Sequence, residues 1–205
     1  MAQKGRNSKI RIRAYLRMFV ESETEAIDRF RAHVRSGVVA ERHSIEHRAN
    51  NLPSEIQEFL VDDLHELDAI SDLADQLSVV ALYSVVEINT GRILAYRFGP
   101  AARKNASYIK RLRKFLMQQQ RIDIKRIPHY RSVNELRLLN NAVKHAGRVT
   151  PELAKEYPRW KQGRKLTGVS AAYERLRRSI PSYIFRLAES LKLGSTTSER
   201  WRKNQ

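Results

Sequence analysis

The chain contains no cysteine, which excludes disulfide bonds and thiolate metal sites and favours a reducing compartment. It has only 8 glycines and 6 prolines among 205 residues, which argues against a turn-rich all-β protein. No apolar run approaches the roughly 20 residues that span a bilayer. The basic N-terminus MAQKGRNSKIRIRAY also lacks the apolar core of a signal peptide. We therefore expect a soluble, cytoplasmic protein without membrane association.

What the chain has in excess is positive charge. Hydrophobic residues make up 41% of the sequence, enough for a folded core, and the formal net charge is +17. Such a charge favours a polyanionic partner, with nucleic acid first and an anionic membrane second. The alternative is a basic surface that serves only solubility.

The charges are unevenly placed along the chain. Between residues 49 and 91 there is no Lys or Arg, and the window holds nine acids: Glu55, Glu58, Asp62, Asp63, Glu66, Asp68, Asp72, Asp75 and Glu87. Between residues 92 and 131 there are twelve Lys or Arg and a single acid, Asp123. We expect the acidic segment to lie against basic segments of the fold or of a second copy, which still leaves a basic excess for a partner.

Helical spacing of apolar residues dominates the chain and predicts one all-α domain, a bundle of about five to seven helices. The stretch LSVVALYSVVEI (77–88) is apolar nearly all round, so we expect a buried central helix that ends at Gly99-Pro100. Gly37 is a plausible helix stop, and Pro181 should kink or split the last helix. The predicted helices cover 9–36, 38–51, 54–98, 106–120, 132–146 and 169–191, with flexible basic ends at 1–8 and 195–205.

The stretch RLLNNAVKHAG (137–147) stands out because a helix interior seldom holds two adjacent asparagines among basic residues. Ser132 and Glu135 fit a capping box that starts this helix, and Gly147 fits the position after its end. On a helical wheel the polar side would hold Arg137, Asn140, Asn141, Lys144 and His145, and the other side Leu136, Leu138, Leu139, Ala142, Val143 and Ala146.

Arg137, Asn141 and His145 are spaced four residues apart and would line one ridge. Arg can bind phosphate oxygens, His can move a proton near neutral pH, and Asn can orient the His or a ribose hydroxyl. This set suits metal-independent RNA cleavage, in which the 2′-hydroxyl attacks the adjacent phosphate. The plain alternative is a surface helix with one polar side.

The order of segments, from ALYSVVE through a basic middle to NELRLLNNAVKHAGRVTPEL and a closing amphipathic helix, resembles the HEPN superfamily (higher-eukaryote and prokaryote nucleotide-binding helical domains), across roughly 77–191. The resemblance implies a dimeric helical ribonuclease of the toxin–antitoxin or phage-defence type. Its motif places a His four to six residues after an Arg, with a polar residue often next to the Arg. His145 and Asn141 match the motif, but Asn140 occupies the usual Arg position. Either Arg137 replaces that Arg, or the site only binds.

Further residues are candidates for supporting roles. The basic run 107–126 offers Lys110, Arg111, Arg113 and Lys114 to an RNA backbone. Glu87 could orient a site group or simply pair with an Arg such as Arg92, and His129 adjoins the key helix. Trp160 and Tyr157 could stack a base, although anchoring of the core or a loop is the more frequent role.

The sequence thus supports three hypotheses. The first is a homodimeric, metal-independent and cofactor-free endoribonuclease with Arg137, Asn141 and His145 as catalytic residues, assisted by Lys144 and Asn140. The second is a non-catalytic RNA- or nucleotide-binding helical protein that uses the same face. The third is a helical regulatory subunit whose charge serves a protein partner such as an antitoxin.

Overall fold

The structure, a computed structural model, describes the backbone of residues 2–50, 53–145 and 147–193, and the side chains of these residues except 2–13 and 54–59. The predicted flexible segment 195–205 lies outside the described residues, whereas the backbone of 2–8 belongs to the first helix.

The described residues are all-α, as predicted: they form no strand, and their only β-type pairing is an isolated bridge between Arg148 and Lys165. Two short 3-10 helices span Pro100–Asn105 and Ile124–Arg126. The described part of the chain forms seven α-helices: α1 (Ala2–Ala49), α2 (Ser54–Phe98), α3 (Ile109–Gln120), α4 (Tyr130–Lys144), α5 (Pro151–Glu156), α6 (Val169–Arg177) and α7 (Ile180–Ser190).

The prediction that Gly37 ends the first helix is wrong, because α1, which is 48 residues long, continues past Gly37 to Ala49. Gly37 is exposed, and a Cβ added there would meet nothing within 4 Å. An interior glycine costs a helix only about 1 kcal/mol relative to alanine. Burial of Ile45, which is 3% exposed and lies two turns further on, favours continuation of the helix.

The predicted central helix is largely confirmed within α2. Val79, Leu82, Val85 and Val86 are buried, although Leu77 and Ile88 at the ends of the stretch are exposed. Gly99 ends α2 as predicted, with φ of 94°. The segment Leu60–Phe98 is long and apolar enough to cross a membrane by length and composition alone, a property it shares with core helices of soluble proteins.

The chain divides into two compact units, and each combines segments that are distant in the sequence. Of the described residues, unit 1 comprises 2–24, 83–137 and 176–193, and unit 2 comprises 25–50, 53–82, 138–145 and 147–175. In unit 1, Arg92 of α2 pairs with Glu23 of α1 at 2.7 Å and lies over the Phe19 ring. Arg92 therefore has an acidic partner in Glu23, and its pairing with Glu87 stays a prediction.

Unit 2 is held by a buried arginine. Arg31 of α1 is 3% exposed and donates to Asp75 of α2 at 2.8 Å and to Glu174 of α6. Its guanidinium also lies 4.0 Å from the centre of the Tyr173 ring. Burial opposes the charge of Arg31, but the hydrogen bonds to the two carboxylates outweigh burial and raise its pKa.

The acidic segment lies partly against basic residues of the same unit, as expected. Besides Asp75, Asp68 pairs with Arg42 at 2.6 Å and Asp72 pairs with Lys165 at 3.4 Å. These pairs involve three of the nine acids of the window, so part of the charge asymmetry is structural.

Candidate nucleic-acid interface

Helix α3 presents a basic face because its apolar residues share one side. Leu112 and Leu116 are buried, and Phe115 packs edge-on against Phe98 at the end of α2, with ring centroids 5.1 Å apart. Arg121 ends the helix in the left-handed conformation, at φ of 55°. This packing, all within unit 1, fixes which side of α3 faces solvent.

The cations of α3 and its flanks are exposed to solvent. The only acid between residues 103 and 126 is Asp123, whose carboxylate accepts a hydrogen bond from the Lys125 backbone at 3.0 Å. The nine exposed cations are Arg103, Lys104, Lys110, Arg111, Arg113, Lys114, Arg121, Lys125 and Arg126. The four of them singled out from the sequence, Lys110, Arg111, Arg113 and Lys114, are therefore all available to a polyanion.

An aromatic ring accompanies these cations. Tyr108, the residue before α3, is 65% exposed, and the Arg111 guanidinium lies 5.1 Å from the centre of its ring. A solvent-facing ring beside a guanidinium is the arrangement on which unpaired nucleic-acid bases stack.

Helix α4 begins two residues earlier than the predicted capping box. The backbone N–H groups of Ser132 and Val133 donate to the His129 carbonyl at 3.0 and 3.2 Å. Ser132 is therefore already inside the helix, and Glu135 is a buried residue at 2% exposure. His129, considered as an orienting residue, is exposed and precedes α4 with φ of 66°.

The polar face of α4 is narrower than the helical wheel indicates. Asn140, expected on the RNA-facing side, is only 2% exposed, and its side-chain oxygen is buried without a hydrogen-bond partner among the described residues. Packing accounts for the difference, because a wheel gives the direction of a side chain but not how far neighbouring elements enclose the helix. A phosphate cannot reach Asn140 in this arrangement.

Arg137 and Glu87 belong to a partly buried polar cluster in unit 1. Arg137 is half-buried and donates to the side-chain oxygen of Asn134 from Nε at 3.3 Å and from Nη2 at 3.2 Å. Burial, together with the Glu87 charge, raises the pKa of Tyr83 to about 12, while the Arg137 charge opposes this shift. Burial also raises the pKa of Tyr183.

The end of α4, in unit 2, is open to solvent. Lys144 and His145 are exposed and Asn141 is half-buried. The His145 backbone N–H still donates to the Asn141 carbonyl at 2.9 Å, and Gly147 follows with φ of 64°, as predicted for a helix end. The His145 imidazole forms no hydrogen bond or ion pair with any residue that the structure describes.

The predicted ridge is therefore divided by environment. Arg137 lies in unit 1 among tyrosines and Asn134, whereas Asn141 and His145 lie in unit 2. Arg137 also stands eight residues before His145 in the sequence, outside the four to six residues of the motif that the sequence resembles. Within the part of the chain that the structure describes, no group of three or more His, Asp or Glu side chains could hold a metal ion.

Comparison with protein-family models, curated proteins and solved structures finds no match. The HEPN resemblance therefore rests on the quoted residues alone.

Sequence reasoning missed a second set of cations, which line a cavity in unit 2: Arg159, Lys161, Arg164, Lys165 and Arg175. The signal was present in the run RWKQGRK, where cations surround a tryptophan within seven residues. Only the folding of this run against α6 brings Arg175 to the same cavity, and spacing along the chain does not reveal that proximity.

Proposed function

We propose that the protein binds single-stranded RNA through the basic face of α3. The carrying observation is the set of nine exposed cations between residues 103 and 126, with Asp123 as the one acid among them. Each phosphate that such cations neutralise releases bound counterions, which supplies affinity without sequence specificity.

The ring of Tyr108 favours a single-stranded ligand over a duplex. Its 65% exposure and the neighbouring Arg111 offer a stacking surface. Base stacking on an aromatic side chain contributes roughly 1–3 kcal/mol per base and requires bases that are not already stacked in a helix. RNA is chosen over DNA on the HEPN resemblance.

Binding is tested with a variant in which Lys110, Arg111, Arg113 and Lys114 are all replaced by Gln. The matched control replaces four exposed cations elsewhere: Arg29, Arg48, Lys155 and Arg178. Fluorescence anisotropy with a labelled 20-nucleotide RNA should show at least tenfold weaker binding for the α3 variant and less than threefold for the control. Equal losses would mean that net charge alone, and not this face, attracts RNA.

A second function, cleavage of the bound RNA, is favoured by the exposed imidazole of His145 beside exposed Lys144. The imidazole would take the proton of a ribose 2′-hydroxyl while the 2′-oxygen attacks the adjacent phosphorus. The bond to the 5′-oxygen then breaks, a protonated group returns a proton to that oxygen, and Lys144 stabilises the phosphorane charge. The products are a 2′,3′-cyclic phosphate and a 5′-hydroxyl.

Cleavage by this route needs a base and an acid, and each chain supplies one His at the site. A homodimer that places two His145 side chains at one phosphate would provide both, as the HEPN resemblance implies. The same proposal includes a protein partner, such as an antitoxin, that covers the site. It also includes a cytoplasmic location, where RNA is available.

Replacement of His145 by Ala tests the cleavage proposal. The rate should fall at least 100-fold, the scale of lost proton transfer, while RNA affinity stays within twofold. His43→Ala, at another exposed histidine, is the control and should leave the rate unchanged. If the wild-type protein cleaves no RNA with or without divalent metal, the protein is a binding protein only.

A further inference from the structure

Unit 2 contains a cavity of about 720 Å³ between the 159–168 segment and α6. Its volume lies within the range of roughly 300–1,000 Å³ typical of small-molecule sites. Five cationic residues line it, together with Trp160: they are Arg159, Lys161, Arg164, Lys165 and Arg175.

The electrostatics of the cavity favour an anion. Lys165 pairs with Asp72 at 3.4 Å, but this pair is exposed and therefore weak. None of the described residues that line the cavity carries a carboxylate. The exposed side chains of Lys161 and Arg164 form no hydrogen bond or ion pair with other described residues. These two cations are therefore available to a ligand without the loss of an existing contact.

The lining of the cavity also includes apolar residues. Trp160 is 8% exposed, Val149 and Ala172 are buried, and Ala171 is exposed. The burial of Trp160 fits an anchor of the loop, the role favoured from the sequence, and Trp160 also lines the cavity. An anion such as inorganic phosphate would leave this apolar surface uncovered, whereas an anion with a flat apolar group would cover it.

Backbone hydrogen bonds hold the cavity frame in place. The Val149 N–H donates to the Arg164 carbonyl at 3.0 Å, and the Leu166 N–H donates to the Gly147 carbonyl at 2.8 Å. The Thr150 hydroxyl caps α5 by accepting from the Leu153 N–H at 3.3 Å. Because hydrogen bonds already hold the backbone around the cavity, little conformational entropy is lost when a ligand binds, which favours affinity.

We propose that this cavity binds a nucleoside 5′-phosphate, with the base against Trp160, Ala171 and Ala172 and the phosphates on Lys161 and Arg164. A flat base matches the apolar residues of the lining, and a multiply charged phosphate matches its cations. The ligand is a free nucleotide or the phosphorylated 5′ end of an RNA, since both present the same chemistry. The site does not depend on RNA binding by α3.

Binding is measured by equilibrium titration of a Trp201→Phe protein with guanosine 5′-triphosphate, adenosine 5′-triphosphate, the two nucleosides and inorganic triphosphate. Trp160 is then the one remaining indole, because the chain has two tryptophans. Nucleotides should quench its fluorescence, with affinities at least tenfold tighter than those of the nucleosides and inorganic triphosphate. Equal affinity for inorganic triphosphate would overturn the base contact, and no binding of either nucleotide would overturn the site.

Two variants distinguish nucleotide binding in the cavity from nonspecific attraction by the positive net charge of the protein. Lys161→Gln with Arg164→Gln removes two exposed cations, and Ala171→Trp fills the cavity without a change of charge. Each should weaken nucleotide binding at least tenfold, whereas the control pair Arg29→Gln with Arg178→Gln, at exposed cations outside both proposed sites, should change it less than twofold. Loss of nucleotide binding in the control, or retention in Ala171→Trp, contradicts the proposal.

The two sources of the ligand are distinguished with short RNAs. A 5′-phosphorylated trinucleotide that competes with the nucleotide, while its 5′-hydroxyl counterpart does not, identifies an RNA end as a ligand. Failure of both trinucleotides to compete leaves the free nucleotide as the ligand. Either result supports nucleotide binding in the cavity. Neither result changes what is expected of the RNA-binding assay with the α3 variant.

Discussion

Tyr83 shows how environment sets the chemistry of a single residue in this protein. It is 8% exposed, and burial with the Glu87 charge raises its pKa from 10.0 to about 12. The folded state therefore keeps a proton on Tyr83 that the unfolded chain loses. The resulting stability is fully present below pH 10 and is lost as the pH rises through 12.

The expected size of this effect follows from the shift in pKa. Between pH 9 and pH 11, Tyr83 should contribute a loss of roughly 1 kcal/mol to the unfolding free energy. Denaturant unfolding at both pH values should show that Tyr83→Phe reduces the loss by that amount. Tyr96→Phe, at a ring that is 51% exposed, should not. If the two variants lose stability in parallel, the burial argument for Tyr83 is wrong.

At the residue scale, the sequence predicted correctly those features that depend on backbone conformation. Gly99 and Gly147 were predicted to end helices, and both adopt positive φ, which glycine adopts without strain. The sequence did not predict which polar side chains are buried by neighbouring elements. Asn140 and Glu135 are both 2% exposed, and no local pattern distinguishes a buried polar residue from an exposed one.

Helices α1, α2 and α6 meet at one buried arginine in unit 2, so the stability of that unit should depend on it. Arg31→Met would leave the Asp75 carboxylate, whose side chain is 12% exposed, with only the weaker contact from Arg35 at 3.3 Å. Removal of one partner of a buried ion pair costs about 3–5 kcal/mol.

Thermal and denaturant unfolding should report that loss for Arg31→Met. Arg35→Met, at a side chain that is 46% exposed, should cost no more than about 1 kcal/mol. Adding Asp75→Leu to Arg31→Met should recover much of the stability, because both buried charges are then removed. An Arg31→Met protein as stable as the wild type would show that the network does not hold these helices together.

Elements were predicted well in kind and less well at their ends. The split near Pro181 is confirmed, since α6 ends at Arg177 and α7 starts at Ile180. Gly91 lies inside α2, where a Cβ would come within 3.0 Å of the Arg103 side chain. That close approach involves a segment twelve residues away, so the sequence alone gave no reason for a glycine there.

On the scale of the whole molecule, the sequence predicted an uneven distribution of charge. The structure shows where these charges lie within each unit. Three acids of the 49–91 window pair with cations of unit 2. The cations of 103–126 remain exposed in unit 1, with Asp123 as the one acid among them. The cavity cations were not foreseen, because they come together only through the fold of residues 147–175.

The dependence of RNA affinity on salt tests the central claim most directly. For single strands the logarithm of affinity falls with the logarithm of salt concentration with a slope of about −0.7 per neutralised phosphate. If Lys110, Arg111, Arg113 and Lys114 each contact a phosphate, the fourfold Gln variant should have a slope shallower than that of the wild type by about 3. Identical slopes for the wild type and the variant would contradict RNA binding through α3.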